Sequence, residues 1–248
     1  MDPRMEKEII FARQVGIEEI GEEGQKKLDD ALVLVVGAGG LGSPVITYLA
    51  SAGVGKIIVA DGDTIELSNL NRQFLHSIHD IGKNKAESAE ATAGSINGVS
   101  TIISISKYLT REELDQLLVN VDCVINCVDS YEVRKEVGRA CLRARVPLVE
   151  AGVRDLYGWI LCIDNDHACL ECAGIRDLTE EQSPAILGAV AGVVGSTQAL
   201  ECIKILIGSD DVSFGRLINF DGRHMEMESV PLVLDPNCEA HRLVQETV

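Results

Sequence analysis

The segment Gly37–Gly42 (Gly-Ala-Gly-Gly-Leu-Gly) has the composition of a loop that binds phosphate. Gly37, Gly39 and Gly42 follow a run of Val and Leu and precede a helical pattern. Glycine allows a tight turn and lets backbone N–H groups approach a phosphate, while the following helix N-terminus supplies partial positive charge. Asp61 ends the next predicted strand, where a carboxylate can hold ribose hydroxyls. The pattern predicts a nucleotide site, and by itself it fits NAD, FAD or ATP.

Basic residues beyond this loop favour ATP. Arg72 and Lys85 follow Asp61 and Asp63, both candidate nucleotide-binding residues, along the chain. An enzyme that breaks the bond between the α- and β-phosphates needs cations to neutralise charge on the phosphate oxygens, whereas a dehydrogenase has little use for them there. Asp129 ends another predicted strand and is a candidate ligand of Mg²⁺, which prefers oxygen. Because Lys85 begins a predicted helix, a solvated surface charge is its alternative interpretation.

Two short motifs near the end of the chain predict a metal site. Cys169 and Cys172 form one pair, and Cys238 and His241 form the other. Three thiolates and one imidazole suit tetrahedral Zn²⁺ and leave no open position, which indicates a structural role. Two unrelated pairs of buried thiols are the alternative interpretation. His167 is a less well spaced substitute for one ligand.

Short runs of Val and Ile alternate with helical patterns, as is typical of βαβ units on a parallel sheet. We predict a Rossmann-like α/β sheet, mostly parallel, with antiparallel C-terminal strands, in one domain over residues 1–248. Residues 1–30 are predicted to form an amphipathic helical arm, and residues 165–184 and 231–248 a small zinc-bound lobe. Strands are predicted at 32–36, 56–60, 101–106, 123–128, from 147, at 158–164, 216–220 and 225–230. Helices are predicted from the phosphate loop to 52, and at 83–95, 110–118, 131–144 and 185–207.

Composition restricts the class of partner and the compartment. The chain has 248 residues, of which 46% are hydrophobic, and its 39 acidic and 22 basic residues give a formal charge of −17. A phosphate backbone would be repelled overall, so we expect no nucleic-acid partner. We see no secretory signal, and the apolar stretch 185–195 is too short to span a membrane. The eight cysteines then indicate a reducing compartment, and we expect a cytoplasmic protein without a membrane partner.

Taken in order, these motifs resemble the adenylation domain of the ubiquitin-activating superfamily. The nearest resemblance is to the bacterial and archaeal enzymes that adenylate the sulfur carriers of molybdopterin synthase and of the thiamine pathway. It rests on segments 35–43 and 61–74, on Lys85 and on Asp129, and it extends over nearly the whole chain. The resemblance implies an ATP site formed by Gly40, Asp61, Ser68, Asn69, Asn71, Arg72, Lys85 and Asp129. It also implies a homodimer in which Arg13 reaches the partner's ATP; a surface position for Arg13 is the alternative.

The implied reaction is adenylation of the C-terminal glycine carboxylate of a ubiquitin-like sulfur carrier with a Gly-Gly terminus. Its products are an acyl-adenylate and pyrophosphate, and its cofactors are Mg²⁺ and Zn²⁺. The chain departs from the family pattern at three positions: Phe11 replaces a frequent Tyr, Ser130 a frequent Asn, and His241 a zinc-ligating Cys. The loop 176–184 lacks the catalytic cysteine of ubiquitin-activating relatives, so we expect the chemistry to stop at the adenylate.

Other functions remain open from the sequence. The chain could adenylate a small-molecule or RNA-linked carboxylate without a protein carrier, or it could be an NAD-dependent oxidoreductase. A zinc-stabilised binding module without catalysis is disfavoured, because a scaffold needs none of Arg72, Lys85 and Asp129. Arg154, after the fifth predicted strand, is a candidate for contacting the substrate carboxylate or for pairing with Asp155.

Overall fold

The computed structural model describes residues 3–175 and 185–245, and it contains an eight-stranded sheet in the order β3-β2-β1-β4-β5-β6-β7-β8. The strands are β1 (Leu32–Val36), β2 (Lys56–Ala60), β3 (Thr101–Ile105), β4 (Cys123–Asn126), β5 (Leu148–Arg154), β6 (Tyr157–Ile163), β7 (Arg216–Asp221) and β8 (Glu226–Pro231). Neighbouring strands in the part β3-β2-β1-β4-β5 are parallel. Neighbouring strands in the part β5-β6-β7-β8 are antiparallel. The predicted mostly parallel sheet with antiparallel C-terminal strands is confirmed.

Helices cover both faces of this sheet. They are α1 (Pro3–Val15), α2 (Gly21–Asp30), α3 (Gly42–Ala52), α4 (Lys85–Gly94), α5 (Arg111–Leu117), α6 (Tyr131–Ala144), α7 (Gly188–Ile207) and α8 (Glu239–Gln245). Residues of β1 alternate between two apolar clusters: Val33 and Val35 pack with α3, α4 and α7, while Leu34 and Val36 pack with α5 and α6. This alternation follows from the period of two in a strand, and it buries both faces of the parallel half.

The N-terminal segment is more closely integrated than the predicted arm. It consists of two helices, and α2 packs against α7 with Leu28 fully buried. Helix α5 begins at the predicted capping box, in which Thr110 and Glu113 exchange hydrogen bonds between side chain and backbone. Helix α8 was not predicted. The loop 176–184 and the terminal residues 1–2 and 246–248 lie outside the described residues.

Helix α7 is long and apolar enough to cross a membrane by length and composition. It packs against α3, β5 and β6, and half of its most apolar window is buried inside the protein. Core helices meet the same two criteria, so α7 is explained as the predicted buried helix of the sheet.

Candidate functional site

The phosphate loop folds back on itself between β1 and α3. Gly37 has a φ of +98°, which L side chains rarely adopt, and its N–H donates to the Ala60 carbonyl over 2.8 Å. A Cβ at Gly42 would lie 2.2 Å from the Gly37 carbonyl oxygen, so only glycine fits there. Gly39 and Gly40 are partly exposed at the tip of the loop. The tight turn inferred from the glycine spacing is present.

Ala38, inside this loop, is held through both of its backbone groups. Its N–H donates to Asp61 Oδ2 over 2.8 Å, and its carbonyl accepts from His76 Nε2 over 2.9 Å. A carbonyl can only accept, so Nε2 carries the proton, and Nδ1 of neutral His76 accepts from the Ser88 hydroxyl over 3.0 Å. Burial lowers the pKa of His76, which favours this neutral form. Sequence reasoning missed His76 because no spacing rule marked it.

Asp61 places its carboxylate between the loop and the next turn. Besides Ala38, it accepts the Asp63 N–H at Oδ1 over 2.8 Å. Burial raises the pKa of Asp61, and the two backbone hydrogen bonds oppose that shift. Both oxygens therefore already have one N–H partner, and their remaining acceptor positions are those that ribose hydroxyls would use.

Lys85 is buried beside the loop, and its alternative interpretation as a solvated surface charge is wrong. Its Nζ lies 2.7 Å from Asp63 Oδ2, and the residue is 8% exposed. Lys85 is the first residue of α4, where the helix dipole disfavours a cation, so Asp63 compensates its charge. The Tyr108 hydroxyl also donates to Asp63. Burial would raise the pKa of Asp63, but the hydrogen bonds from Lys85 and Tyr108 outweigh it and lower that pKa.

Arg72 lies along the tip of the phosphate loop. A Cβ at Gly40 would lie 3.4 Å from Arg72 Cγ, so the side-chain stem passes directly over this glycine. The guanidinium Nη1 donates to the Ser68 carbonyl over 3.1 Å and to Asn71 Oδ1 over 2.8 Å. The structure thus brings Arg72 to the loop, and it gives Asn71 the role of orienting the guanidinium.

Asn69 and Ser68 form the turn that presents Arg72. Asn69 is buried, and its Oδ1 accepts the Glu66 N–H over 3.0 Å. Its carbonyl accepts the Arg72 N–H over 3.1 Å. The Ser68 hydroxyl, which is exposed, donates to Glu66 Oε2 over 3.2 Å. Asn69 therefore stabilises the turn from its buried side, while the Ser68 side chain is accessible to solvent.

Asp129 is exposed just beyond β4. β4 neighbours β1 in the sheet, so Asp129 and the phosphate loop follow adjacent strands at the same edge. The pKa of Tyr108 is raised to about 12, chiefly by its hydrogen bond to Asp63 and additionally by the charges of Asp61 and Asp129. Asp61 and Asp129 thus follow β2 and β4, the two strands that flank β1 in the sheet.

A buried polar network lies beneath Asp129. Arg134 donates from Nε and Nη2 to the Val128 carbonyl over 3.1 and 2.7 Å, and its Nη1 lies 3.8 Å from Glu150 Oε1. Asn126 Nδ2 donates to Glu150 Oε2 over 2.9 Å. Burial raises the pKa of Glu150 to about 7, against the opposing influence of Arg134 and Asn126. The network fixes the backbone that carries Asp129, and sequence reasoning did not find it.

Arg13 does not join the site of its own chain. It is exposed in the last turn of α1, and its neighbours Phe11 and Gln14 contact the end of α3. The phosphate loop lies at the opposite end of α3, whose 11 residues span about 16 Å.

The predicted metal ligands come together across the two motifs. Ligand atoms of Cys169, Cys172, Cys238 and His241 all lie within 4.8 Å of one another, and Cys169 Sγ is 3.7 Å from Cys172 Sγ and 3.6 Å from Cys238 Sγ. His241 Nε2 is buried without a hydrogen-bond partner among the described residues. A metal ligand bond would satisfy it, so the donor set fits Zn²⁺. His167 instead contacts Asp164, with Nδ1 2.8 Å from Oδ1.

One arginine joins the two halves of this cluster. Arg139 of α6 forms a bidentate pair with Glu171, at 2.7 and 2.9 Å, and also contacts Glu239 Oε2 at 2.7 Å. Glu171 lies between Cys169 and Cys172, and Glu239 directly follows Cys238. Arg139 therefore holds both ligand-bearing segments against α6.

The remaining cysteines are buried: Cys123, Cys127, Cys141, Cys162 and Cys202. Burial raises the pKa of Cys127 and of Cys141, which favours unreactive thiols, as predicted. The loop 176–184, which lacks cysteine in the sequence, lies outside the described residues. At the end of β5, Arg154 Nε lies 3.9 Å from Asp155 Oδ2.

Comparison with known proteins places the chain in a family. The model of the ThiF family matches residues 11–240. The sulfur carrier protein ThiS adenylyltransferase of Escherichia coli is 33% identical over 233 residues, which cover 92% of this chain and 92% of that protein. The adenylyltransferase and sulfurtransferase MOCS3 of Aedes aegypti is 37% identical over 228 residues, or 90% of this chain. The chain spans only about half of the length of MOCS3, 52%.

The fold also matches solved structures. The crystal structure of E. coli MccB with ATP superposes with a TM-score of 0.82 and 25% sequence identity, covering 97% of this chain and 74% of MccB. The predicted resemblance and the prediction of an enzyme are confirmed at the level of the family. The chain belongs to the ThiF family, in which its named relatives include adenylyltransferases.

Proposed function

We propose that this chain uses ATP to adenylate the C-terminal glycine carboxylate of a ubiquitin-like sulfur carrier. The observation that carries the proposal is the position of two cations near one phosphate loop. Arg72 passes over Gly40, and buried Lys85 pairs with Asp63, whose N–H donates to the loop-binding Asp61. A nicotinamide site has no comparable need for them, so the oxidoreductase alternative is not favoured. The E. coli relative named as a ThiS adenylyltransferase and the ATP in the MccB structure support the same function.

The triphosphate is assigned to the phosphate loop and the N-terminus of α3. Leu41, at the N-cap of α3, supplies no side-chain hydrogen bond, and the first turn carries no acidic residue. In the first turn Pro44 has no N–H, and the Ser43 N–H donates to the Gly39 carbonyl over 2.9 Å. The donors assigned to anionic oxygen are therefore the Gly42 N–H and those of the loop residues before it. We assign the N–H groups of the loop glycines Gly39, Gly40 and Gly42 to the phosphates, while Gly37, whose N–H donates to the Ala60 carbonyl, shapes the turn around them. Asp61 would hold the ribose, and the exposed Ser68 and Asn71 would contact the nucleotide while Asn69 supports their turn.

In the proposed reaction, a carboxylate oxygen of the carrier's terminal glycine attacks the α-phosphorus of ATP. A new P–O bond forms, the bond from the α-phosphorus to the bridging oxygen breaks, and pyrophosphate leaves with that electron pair. The carboxylate is already ionised, so no general base is needed. Arg72 and Lys85 stabilise the negative charge that builds on the phosphate oxygens, and binding aligns the two reactants.

Mg²⁺ is assigned to Asp129. A carboxylate at the carboxyl end of a strand, beside the phosphate loop, supplies the hard oxygen that this cation prefers. When bound, Mg²⁺ would neutralise charge on the phosphates. The zinc site of Cys169, Cys172, Cys238 and His241 is assigned a structural role, because a complete set of four protein ligands leaves no position for a substrate.

A second copy of the chain would complete the site. Arg13 lies at the far end of α3 from its own loop, so the proposed contact with ATP must cross to a partner subunit. Helices α3 and α7 expose an apolar groove that includes Tyr48, Phe74 and Leu200, each more than half exposed. Exposed apolar patches of this kind mark protein interfaces. We propose a cytoplasmic homodimer whose partner is the carrier, without nucleic acid or membrane.

The test is mass spectrometry of purified Gly-Gly carriers incubated with the enzyme and Mg·ATP. We expect one carrier to gain the mass of AMP while pyrophosphate is released, and the same carrier without its terminal glycine to remain unmodified. If no carrier is modified while ATP is still converted to AMP, adenylation of a small-molecule or RNA-linked carboxylate replaces the proposal. If NAD raises the melting temperature and ATP does not, the oxidoreductase alternative is restored.

A further inference from the structure

Tyr108 is an exposed aromatic residue that is nevertheless held in place. It lies three residues beyond β3 and is 72% exposed, yet its hydroxyl donates to Asp63. Its ring lies against the backbone of Gly62, where an added Cβ would be 2.7 Å from the ring atom Cδ2. Glycine at position 62 therefore permits the close approach, and the ring is restrained by one contact at its face and another at its hydroxyl.

The position of Tyr108 follows from the order of the strands. Strands β1, β2 and β3 lie side by side in that order in the sheet. The phosphate loop follows β1, Asp61 follows β2, and Tyr108 follows β3. A nucleotide with its phosphates on the loop and its ribose at Asp61 extends its base away from β1. That direction leads past β2 towards Tyr108. This step rests on the proposed function, because it takes the orientation of ATP from it.

We propose that Tyr108 is the residue on which the base of the bound nucleotide stacks. Every base has a π-face, so an aromatic ring binds bases with little discrimination between them. A ring that is already restrained by Gly62 and Asp63 loses little conformational freedom when a base covers it. Base identity must then be read by other groups, and ATP and GTP should depend on Tyr108 to a similar extent.

The anchor of the ring also reaches the phosphate end of the site. Asp63 accepts from Tyr108 at one carboxylate oxygen and pairs with Lys85 at the other. Replacing Tyr108 by Phe removes the first contact and keeps the ring, so it separates stacking from any effect on Lys85. Replacing it by Leu keeps apolar bulk without a π-face.

The experiment measures binding of ATP, GTP, adenosine and inorganic tripolyphosphate to the full chain and its variants by calorimetry. We expect Tyr108→Ala and Tyr108→Leu to weaken ATP, GTP and adenosine binding by about 5- to 100-fold, the range for loss of one base–aromatic stack. Tripolyphosphate binding should stay unchanged. Tyr108→Phe keeps the π-face and loses only the restraint at the hydroxyl, so it should weaken ATP binding far less than Tyr108→Ala does. Tyr157→Ala is the matched control, because Tyr157 is also an exposed tyrosine but stacks with Arg223 on the antiparallel side of the sheet.

Two outcomes would overturn the inference. If Tyr108→Ala binds ATP as tightly as the wild type, the ring is not the platform for the base. If tripolyphosphate binding weakens as much as ATP binding, the ring supports the loop rather than the base. If the wild-type chain does not bind ATP at all, the proposed function itself is refuted. Failure of the stacking inference and failure of the proposed function are therefore distinguishable.

Discussion

At the scale of single residues, the candidate nucleotide site consists of charges that already have partners. Lys85 is paired with Asp63, and Arg72 is oriented by Asn71 and by a backbone carbonyl. Each cation is thus fixed beside the phosphate loop instead of moving freely in water. Fixed charges stabilise a transition state effectively because they need no reorganisation during the reaction. This arrangement makes the individual cations the most direct points to test.

Replacing Arg72 by Ala should abolish measurable ATP–pyrophosphate exchange, with a loss on the order of 10²–10³ or more, because one preorganised charge is removed. Asp129→Ala should have the same effect through loss of the metal ligand. The measurement is isotope exchange, with circular dichroism to show that the fold persists. Lys83→Ala is the control, since Lys83 is exposed and pairs with Asp80. Exchange at the wild-type rate in either site variant would refute the assignment.

Glu150 should make stability depend on pH. Its folded pKa of about 7 lies above the ordinary value of 4.5, so the folded state retains a proton that the unfolded state releases. Stability contributed by this proton is present below pH 4.5 and is lost as pH rises to about 7. In Glu150→Gln, the pH-dependent change in the free energy of unfolding should be smaller by on the order of 3 kcal/mol.

The measurement for Glu150 is urea unfolding of both proteins between pH 4.5 and 8. The wild type should lose stability relative to Glu150→Gln as pH rises through this range, and the difference should level off above pH 7. Parallel pH profiles would show that Arg134 keeps Glu150 ionised in the folded protein.

At the scale of elements, the local motifs were predictable and the contacts between distant segments were not. The turn from β1 into α3 requires glycine at positions 37 and 42, and the capping box at Thr110 begins α5. Each of these two features depends on residues close together in the sequence, so a local pattern could predict it. The cysteine spacing likewise marked the metal ligands. His76 and Glu150 acquire their roles only when the sheet brings remote backbone beside them, so no local pattern identified them.

The segments that carry the four proposed zinc ligands provide a test at this scale. Arg139→Ala should lower zinc affinity by about 10- to 100-fold, because groups that orient the ligand segments contribute that much at comparable sites. A competing chelator with a colour change measures the affinity. Arg143→Ala, on the same helix but paired with Asp115, is the control and should retain zinc. Equal zinc retention in both variants would show that Arg139 is not needed to position the ligands.

At the scale of the whole molecule, the proposed function requires a site that two subunits share. Arg13 and the phosphate loop lie at opposite ends of α3, and an apolar groove lies between α3 and α7. No sequence pattern could give this separation, since it depends on where α1 packs. The resemblance to known enzymes supplied the expectation of a homodimer. An exposed Arg13 far from its own loop fits both a shared site and the alternative surface position, and subunit mixing distinguishes the two.

Mixing two inactive variants should restore activity if the site is shared. A dimer of Arg13→Ala with Asp129→Ala contains one site with both residues intact. Random mixing should therefore recover about a quarter of the wild-type exchange rate. The pair Arg72→Ala and Asp129→Ala should recover none, because both residues belong to the same chain's site. Absence of recovery from the first pair, with dimers shown by light scattering, would refute the shared site.

The double attachment of Ala38 has a consequence for how the protein behaves before it meets a ligand. Because both backbone groups of Ala38 are hydrogen-bonded, this part of the loop has little conformational freedom. Nucleotide binding should therefore cost little further ordering entropy. The amide proton of Ala38 should exchange slowly with deuterated solvent even in the free protein. The phosphate loop would then have nearly the same conformation with and without nucleotide. Little of the binding free energy from its contacts with anionic oxygen would be lost to ordering the loop.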